Sequence, residues 1–208
     1  MRTQNEGSKG PYLYPAVLGG IILLLVFIPL GVNALAPHPV GEVYFEPEQI
    51  EDFELPRADG GTFRLSDYKG KTVVIYFGYT SCPDVCPTTL YDLRRTKEQL
   101  GGLANEVVIV FITIDPAIDD AEKIEQYLSY FDESFIGLYG TEEQILEVAE
   151  QFNIVTKGAD ETVATYGITH TTSTFIIDSD SYLKLRMHYG QPYDKMANDI
   201  KLVARGRI

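Results

Sequence analysis

Apolar positions along this chain change period several times, and each change marks an element. Residues 72–79 (TVVIYFGY) and 107–114 (VVIVFITI) are β-branched and aromatic without polar alternation, the pattern of strands buried on both faces. Between them, residues 88–100 carry Leu90, Leu93 and Leu100 with charges in the gaps, which predicts a helix ending at Gly101 and Gly102. After Asp119 and Asp120 comes a helix to about Phe131, then a short strand over 135–138. Thr141 opens a third helix, where Gln144 three positions on completes a capping box and Ile145, Val148, Ala149 and Phe152 form the apolar stripe. Residues 153–168 are polar and contain glycine, an excursion rather than core. A strand over 173–178, a turn at Ser179 and Asp180, a partner strand over 182–188 and a helix over 193–204 close the chain. Ahead of all this, residues 53–55 and 62–65 flank Asp59, Gly60 and Gly61 and read as a β-hairpin. Strands alternating with helices predict an α/β sandwich.

The N-terminus has a different pattern. Residues 10–41 hold no Asp, Glu, Lys or Arg, and 18–32 (LGGIILLLVFIPLGV) are almost continuously apolar. A helix over 12–35 exceeds the roughly 20 residues that span a hydrocarbon core. Arg2 and Lys9 precede it and Glu42, Glu46 and Glu48 follow, so the positive-inside bias puts residues 1–11 in the cytoplasm and the rest outside. Ala34-Leu35-Ala36 has the form of a signal-peptidase site, but Pro37 would follow the cut, which favours an uncleaved anchor. Residues 36–44, with Pro37, Pro39 and Gly41, read as a stiff tether, leaving 45–208 as the folded domain.

Composition narrows the function. With 208 residues, 45% hydrophobic and 23% charged, the chain suits one ordinary domain and neither disorder nor a multi-span membrane protein. The formal charge is -13, and removing residues 1–32 with Arg2, Lys9 and Glu6 leaves about -14 on the exported part. Such a field repels phosphate backbones, so no nucleic-acid partner is expected.

The two cysteines, Cys82 and Cys86, sit in TSCPDVCP at the end of one buried strand and the start of a helix. On a helical first turn a spacing of four puts both side chains on one face, close enough to hold one ion or to join as a redox disulfide. The helix N-terminus favours thiolates, which both uses require. A purely structural disulfide would close too short a loop to stabilise much. Two thiolates with an imidazole suit copper(I) or zinc better than calcium or magnesium. Of the three histidines, His38 lies in the tether, His188 in a late strand, and His170 at the return of the excursion to the sheet, where a thioredoxin-like sheet faces its cysteine loop.

YFGYTSCPDVCPTTL, ITIDPAIDD, ITHTTSTFIID and MHYGQPYDKMANDI, in this order behind one N-terminal anchor, resemble the Sco/SenC family of copper proteins. The resemblance covers about residue 45 to the C-terminus. It implies a thioredoxin-like fold and delivery of copper to the copper A centre of cytochrome c oxidase subunit II during assembly. It implies Cys82, Cys86 and His170 as copper ligands, with copper(I) as the bound form and copper(II) left open. Asp84, between the cysteines, and Asp115, which matches an acidic position near the family's site, are expected beside the metal, Asp115 competing with a role as cap of the following helix. Another copper chaperone or a thiol reductase would load the site or keep it reduced. In the absence of an Arg-rich transit peptide, the expected setting is a bacterial cytoplasmic membrane, with the domain on its extracytoplasmic face.

The alternative is an enzyme, a thiol-disulfide oxidoreductase that reduces the oxidase cysteines. Against it stand the three-residue gap between the cysteines and Ser173 at the position where thioredoxin relatives place a cis-proline. A peroxiredoxin-like site ranks third, because Pro83 and Tyr79 stand where that family's pattern needs Thr and Pro.

Overall fold

Two buried parallel strands organise the domain. The computed structural model describes residues 38–154 and 172–208. In it β4 (Thr72–Gly78) pairs in parallel with β5 (Val107–Thr113) from Thr72↔Val107 to Gly78↔Thr113, and every β4 residue is buried, as its unbroken apolar run demands. Around this pair stand β1 (Glu42–Val43), β6 (Ile136–Leu138), β7 (Thr174–Ile177) and β8 (Leu183–Met187), giving a six-stranded sheet in the order β1-β8-β7-β4-β5-β6. β6 is parallel to β5, while β7, β8 and β1 run antiparallel to their neighbours.

The period of two along β4 divides the core. Val74 and Tyr76 face α1 (Val85–Leu100), α2 (Ala121–Ser129) and α4 (Tyr193–Ala204), meeting Leu90, Leu93, Ile124 and Ile200. Val73, Ile75 and Phe77 face the other way, toward α3 (Glu142–Glu150) and the hairpin of β2 (Glu54–Pro56) and β3 (Thr62–Arg64). The result is the expected sandwich with its N-terminal hairpin. Leu55 pairs with Phe63 and both are fully buried, while Gly60 and Gly61 take the positive φ values, 98° and 82°, that the turn requires. Thr141 and Gln144 make both bonds of the capping box at α3.

Two expectations change. The helix after the cysteine loop begins at Val85 rather than residue 88, because the first helical amides need no partner and Pro87 therefore does not obstruct the first turn. Residues 40–43 do not hang free as tether. Asp199 of α4 accepts the N–H groups of Val40 and Gly41, and Glu42 and Val43 pair with Arg186 and Leu185, so the compact unit spans Pro39–Ile208. No helix among the described residues is long and apolar enough to cross a membrane, and the span expected over 12–35 lies outside them.

Candidate metal centre

The cysteine loop leaves the C-terminal end of β4, where the ladder to β5 stops at Gly78 and Thr113. Cys82 N–H donates to the Tyr79 carbonyl at 3.3 Å, turning the chain back, and the first helical bond of α1 runs from Thr88 N–H to the Asp84 carbonyl. Asp84 makes no side-chain cap. Instead the free amide of Cys86 points at Cys82 Sγ, 3.4 Å away, so a sulfur takes the place an N-cap oxygen usually fills. Both cysteines are free, Cys86 only 2% exposed and Cys82 half-buried.

Their environments differ. Burial pushes the Cys86 thiol up to about 12, against the opposing hydrogen bonds of the Tyr76 side chain and the Tyr79 backbone. For Cys82 partial burial also acts upward, but the Cys86 amide and thiol, the Asp84 amide and the Tyr79 side chain together bring it below its ordinary value. One sulfur is sheltered and protonated; the other is reachable and closer to thiolate.

Three tyrosines of the same core cluster, Tyr76, Tyr79 and Tyr127, feel the pair. Tyr76, fully buried on β4, has its hydroxyl on Cys86 and Thr89, and burial first and the nearby sulfurs next hold it protonated. Tyr79 and Tyr127 shift in the same direction, burial leading and the two sulfurs adding to it. Beneath them Gly78 leaves no room for a side chain, since a Cβ there would stand 2.8 Å from Phe111 Cε2, 3.0 Å from Tyr76 Cε1 and 3.1 Å from Cys86 Sγ.

The SCO1/SenC family profile matches residues 42–205, nearly the whole compact unit. A SCO2-like protein of Rickettsia felis is 34% identical over 178 residues, which take in 78% of this chain and 87% of that one. The chain belongs to the SCO1/SenC family. Among solved structures, ScoI of Bradyrhizobium japonicum with copper bound matches 75% of this chain and 99% of its own at 29% identity and TM-score 0.65. Apo Sco1 of Thermus thermophilus matches 80% and 98% at 31% identity and TM-score 0.71.

In this SCO1/SenC member the two cysteines come together as their spacing predicts. Asp84 is exposed at the loop's outer edge. Asp115 lies just past β5, 5% exposed, its charge acting on Tyr79 beside the cysteines. Burial first and the charge of Asp119 second raise its carboxyl, and its Oδ1 has no protein partner among the described residues. Asp115 does not cap α2; Asp120 does, accepting from Lys123 N–H at 2.9 Å. His170 lies outside the described residues, which resume at Thr172, and β7 then starts at Thr174 opposite Tyr76.

Two soft sulfur donors fit a soft monovalent metal, although among the described residues no three His, Cys, Asp or Glu side chains gather around one point. Any third donor of these types would have to come from outside the described residues. Sequence reasoning missed Tyr76, Gly78, Thr80, Tyr127 and Asp119. For Tyr76 and Gly78 a signal existed: the alternation along β4 puts both on the face that α1 covers, and a buried phenol needs a partner.

Proposed function

We propose that this protein binds copper(I) through Cys82, Cys86 and His170 and delivers it to the copper A centre of cytochrome c oxidase subunit II. The observation that carries this reading is the pair of free thiols in unequal settings, Cys86 sealed against Tyr76 and Cys82 only half-buried just before a helix N-terminus. A metal held by one fixed and one reachable sulfur can accept an incoming thiolate at the reachable side before its own ligand leaves, so the cargo passes without a free ion. Membership of the SCO1/SenC family supports the reading, as does a copper-bound relative at 29% identity. In the same proposal residues 12–35 anchor the chain in a bacterial cytoplasmic membrane and the compact unit works on its extracytoplasmic face. Asp84 and Asp115 surround the cargo without binding it, and another copper chaperone or a thiol reductase loads the site or keeps it reduced.

The test is a copper(I) competition titration on the reduced full-length protein in detergent. One tightly bound equivalent is expected, and Cys82→Ala, Cys86→Ala and His170→Ala should each weaken it. Unchanged binding in His170→Ala would remove that ligand. A thiol-disulfide oxidoreductase remains the second reading, favoured by one observation: a thiol of lowered pKa beside a buried thiol of raised pKa is also how an attacking and a resolving cysteine are arranged. It predicts turnover of a disulfide substrate that Cys82→Ser abolishes and His170→Ala leaves nearly normal.

A further inference from the structure

We infer that Asp119 is a positioning residue for the cysteine pair, suspending the loop that carries Cys82 and the loop that carries Asp115 from one buried carboxylate. The inference rests on the copper reading above for its consequence, though not for its geometry.

Asp119 is 1% exposed. Burying a carboxylate costs several kcal/mol unless hydrogen bonds replace its water. Its bonds are specific: Oδ2 accepts from Thr80 N–H at 2.9 Å and from Thr113 Oγ1 at 2.7 Å, and Oδ1 accepts from Thr80 Oγ1. Helix capping does not explain the residue, because Asp120 caps α2. Joining β4 to β5 does not explain it either. The ladder already runs to Gly78↔Thr113 and is extended by Ile114 N–H on the Gly78 carbonyl at 2.8 Å.

The Asp119 bonds begin where that ladder ends. Thr80 stands two residues before Cys82, and its N–H and hydroxyl are both held by Asp119. From there the contacts run on through Cys82 N–H to the Tyr79 carbonyl, and through Cys86 N–H to Cys82 Sγ. On the other side Thr113 Oγ1, while donating to Asp119, accepts from Asp115 N–H at 3.0 Å. The Asp115 carbonyl in turn accepts the N–H groups of Ile118 and Asp119, which closes that loop on itself. Releasing Asp119 therefore frees the turn that sets Cys82 Sγ over the Cys86 amide, without touching either sulfur.

The test compares full-length Asp119→Ala, Asp119→Asn and Thr80→Val with Asp199→Ala, which removes an equally buried carboxylate elsewhere in the domain. Two readouts are taken: copper(I) competition, and amide hydrogen exchange at Thr80 and Cys86 in the metal-free protein. Asp119→Ala should weaken copper(I) roughly 10- to 100-fold, the range for losing an outer-shell partner of a metal site, and speed exchange at both amides. Asp119→Asn keeps an acceptor for Thr80 N–H and Thr113 Oγ1 and should restore most of both. Asp199→Ala should lower thermal stability and leave both readouts in place. The inference is overturned if Asp119→Ala loses no more copper affinity than Asp199→Ala, or if Asn fails to rescue. Should Asp119→Ala not fold, Thr80→Val decides, and wild-type values there overturn the inference. A wild-type protein that binds no copper(I) would sink the proposed function, while exchange at Cys86 would still decide the role of Asp119.

Discussion

Asp119 and Asp199 are the same device used at two places. Each is a carboxylate almost sealed from water, 1% and 0% exposed, that accepts from backbone N–H in another part of the chain, one amide for Asp119 and two for Asp199. Asp119 holds Thr80 and, through it, the turn into the cysteines. Asp199 holds Val40 at 3.0 Å and Gly41 at 2.7 Å, and through them the two residues of β1. The neighbours of the second are tight as well, since a Cβ on Gly41 would lie 3.1 Å from the Arg186 carbonyl and 3.3 Å from Asp199 Oδ2. Both carboxylates organise backbone that no regular ladder secures. Only one of the secured segments carries reactive groups. Burial and hydrogen bonding thus identify an anchored segment, and what the segment bears decides whether the anchor matters for chemistry or for folding.

The largest effect that can break this comparison is direct removal of a sulfur. Cys86→Ala should weaken copper(I) in a competition titration more than any variant that leaves both sulfurs in place, with a smaller cost to the fold, because Cys86 packs at the edge of the core beside Tyr76. If Cys86→Ala bound copper(I) like wild type, the cysteine end would be another packed corner, and its contrast with the Asp199 end would vanish.

Next in size is a pair of glycines. Gly78→Ala would press on Phe111, Tyr76 and Cys86 Sγ, and Gly137→Ala would press on Ile124 and Leu128 under α2. Overpacking of this kind costs about 1–3 kcal/mol, so both variants should melt earlier, Gly137→Ala the more because its added Cβ would crowd Ile124 hardest. Only Gly78→Ala should also weaken copper(I), because only its new methyl group meets the sulfur of Cys86, a ligand in the proposed function. Equal copper affinities in the two variants would detach the site from the strand beneath it.

Much of this was readable from residue types alone. The unbroken apolar runs at 72–79 and 107–114 mark the central strands, and the spacing of Cys82 and Cys86 predicts that the two cysteines come together, as they do. The capping box at Thr141 and Gln144 formed as written, because both of its bonds are local in the chain. What escaped depends on contacts distant in sequence. Thr80 and Asp119 are 39 residues apart, and Val40 and Asp199 are 159 apart, so nothing near either aspartate announces its partner. The start of α1 is blurred for a local reason: its apolar stripe first shows at Leu90, and Pro87, tolerated in a first turn, adds no helical signal of its own. β1 was hidden because two residues carry no periodicity, and their pairing relies on Arg186 and Leu185 at the far end of the chain.

The smallest effect concerns the pH response of the remote anchor. Burial raises the carboxyl of Asp199 above its ordinary value of 3.8, with the amides of Gly41 and Val40 and the charge of Lys195 opposing the rise. The folded protein therefore binds this proton more tightly than the unfolded chain does. Such a group contributes stability that is fully present below its unfolded value and is lost as pH rises through its folded value. Asn at this position cannot titrate, yet it keeps one acceptor for the Val40 and Gly41 amides. As pH falls from neutrality toward 3.8, the wild-type melting temperature should gain on that of Asp199→Asn. Asp115, also raised, first by burial and then by the charge of Asp119, is common to both proteins and drops out of the difference. Copper(I) affinity measured on the same two proteins at neutral pH should coincide. A gap in melting temperature that stays constant with pH would mean that burial does not control Asp199. A gap in copper affinity would mean that the two anchors are coupled and that the division between them drawn from their partners is wrong.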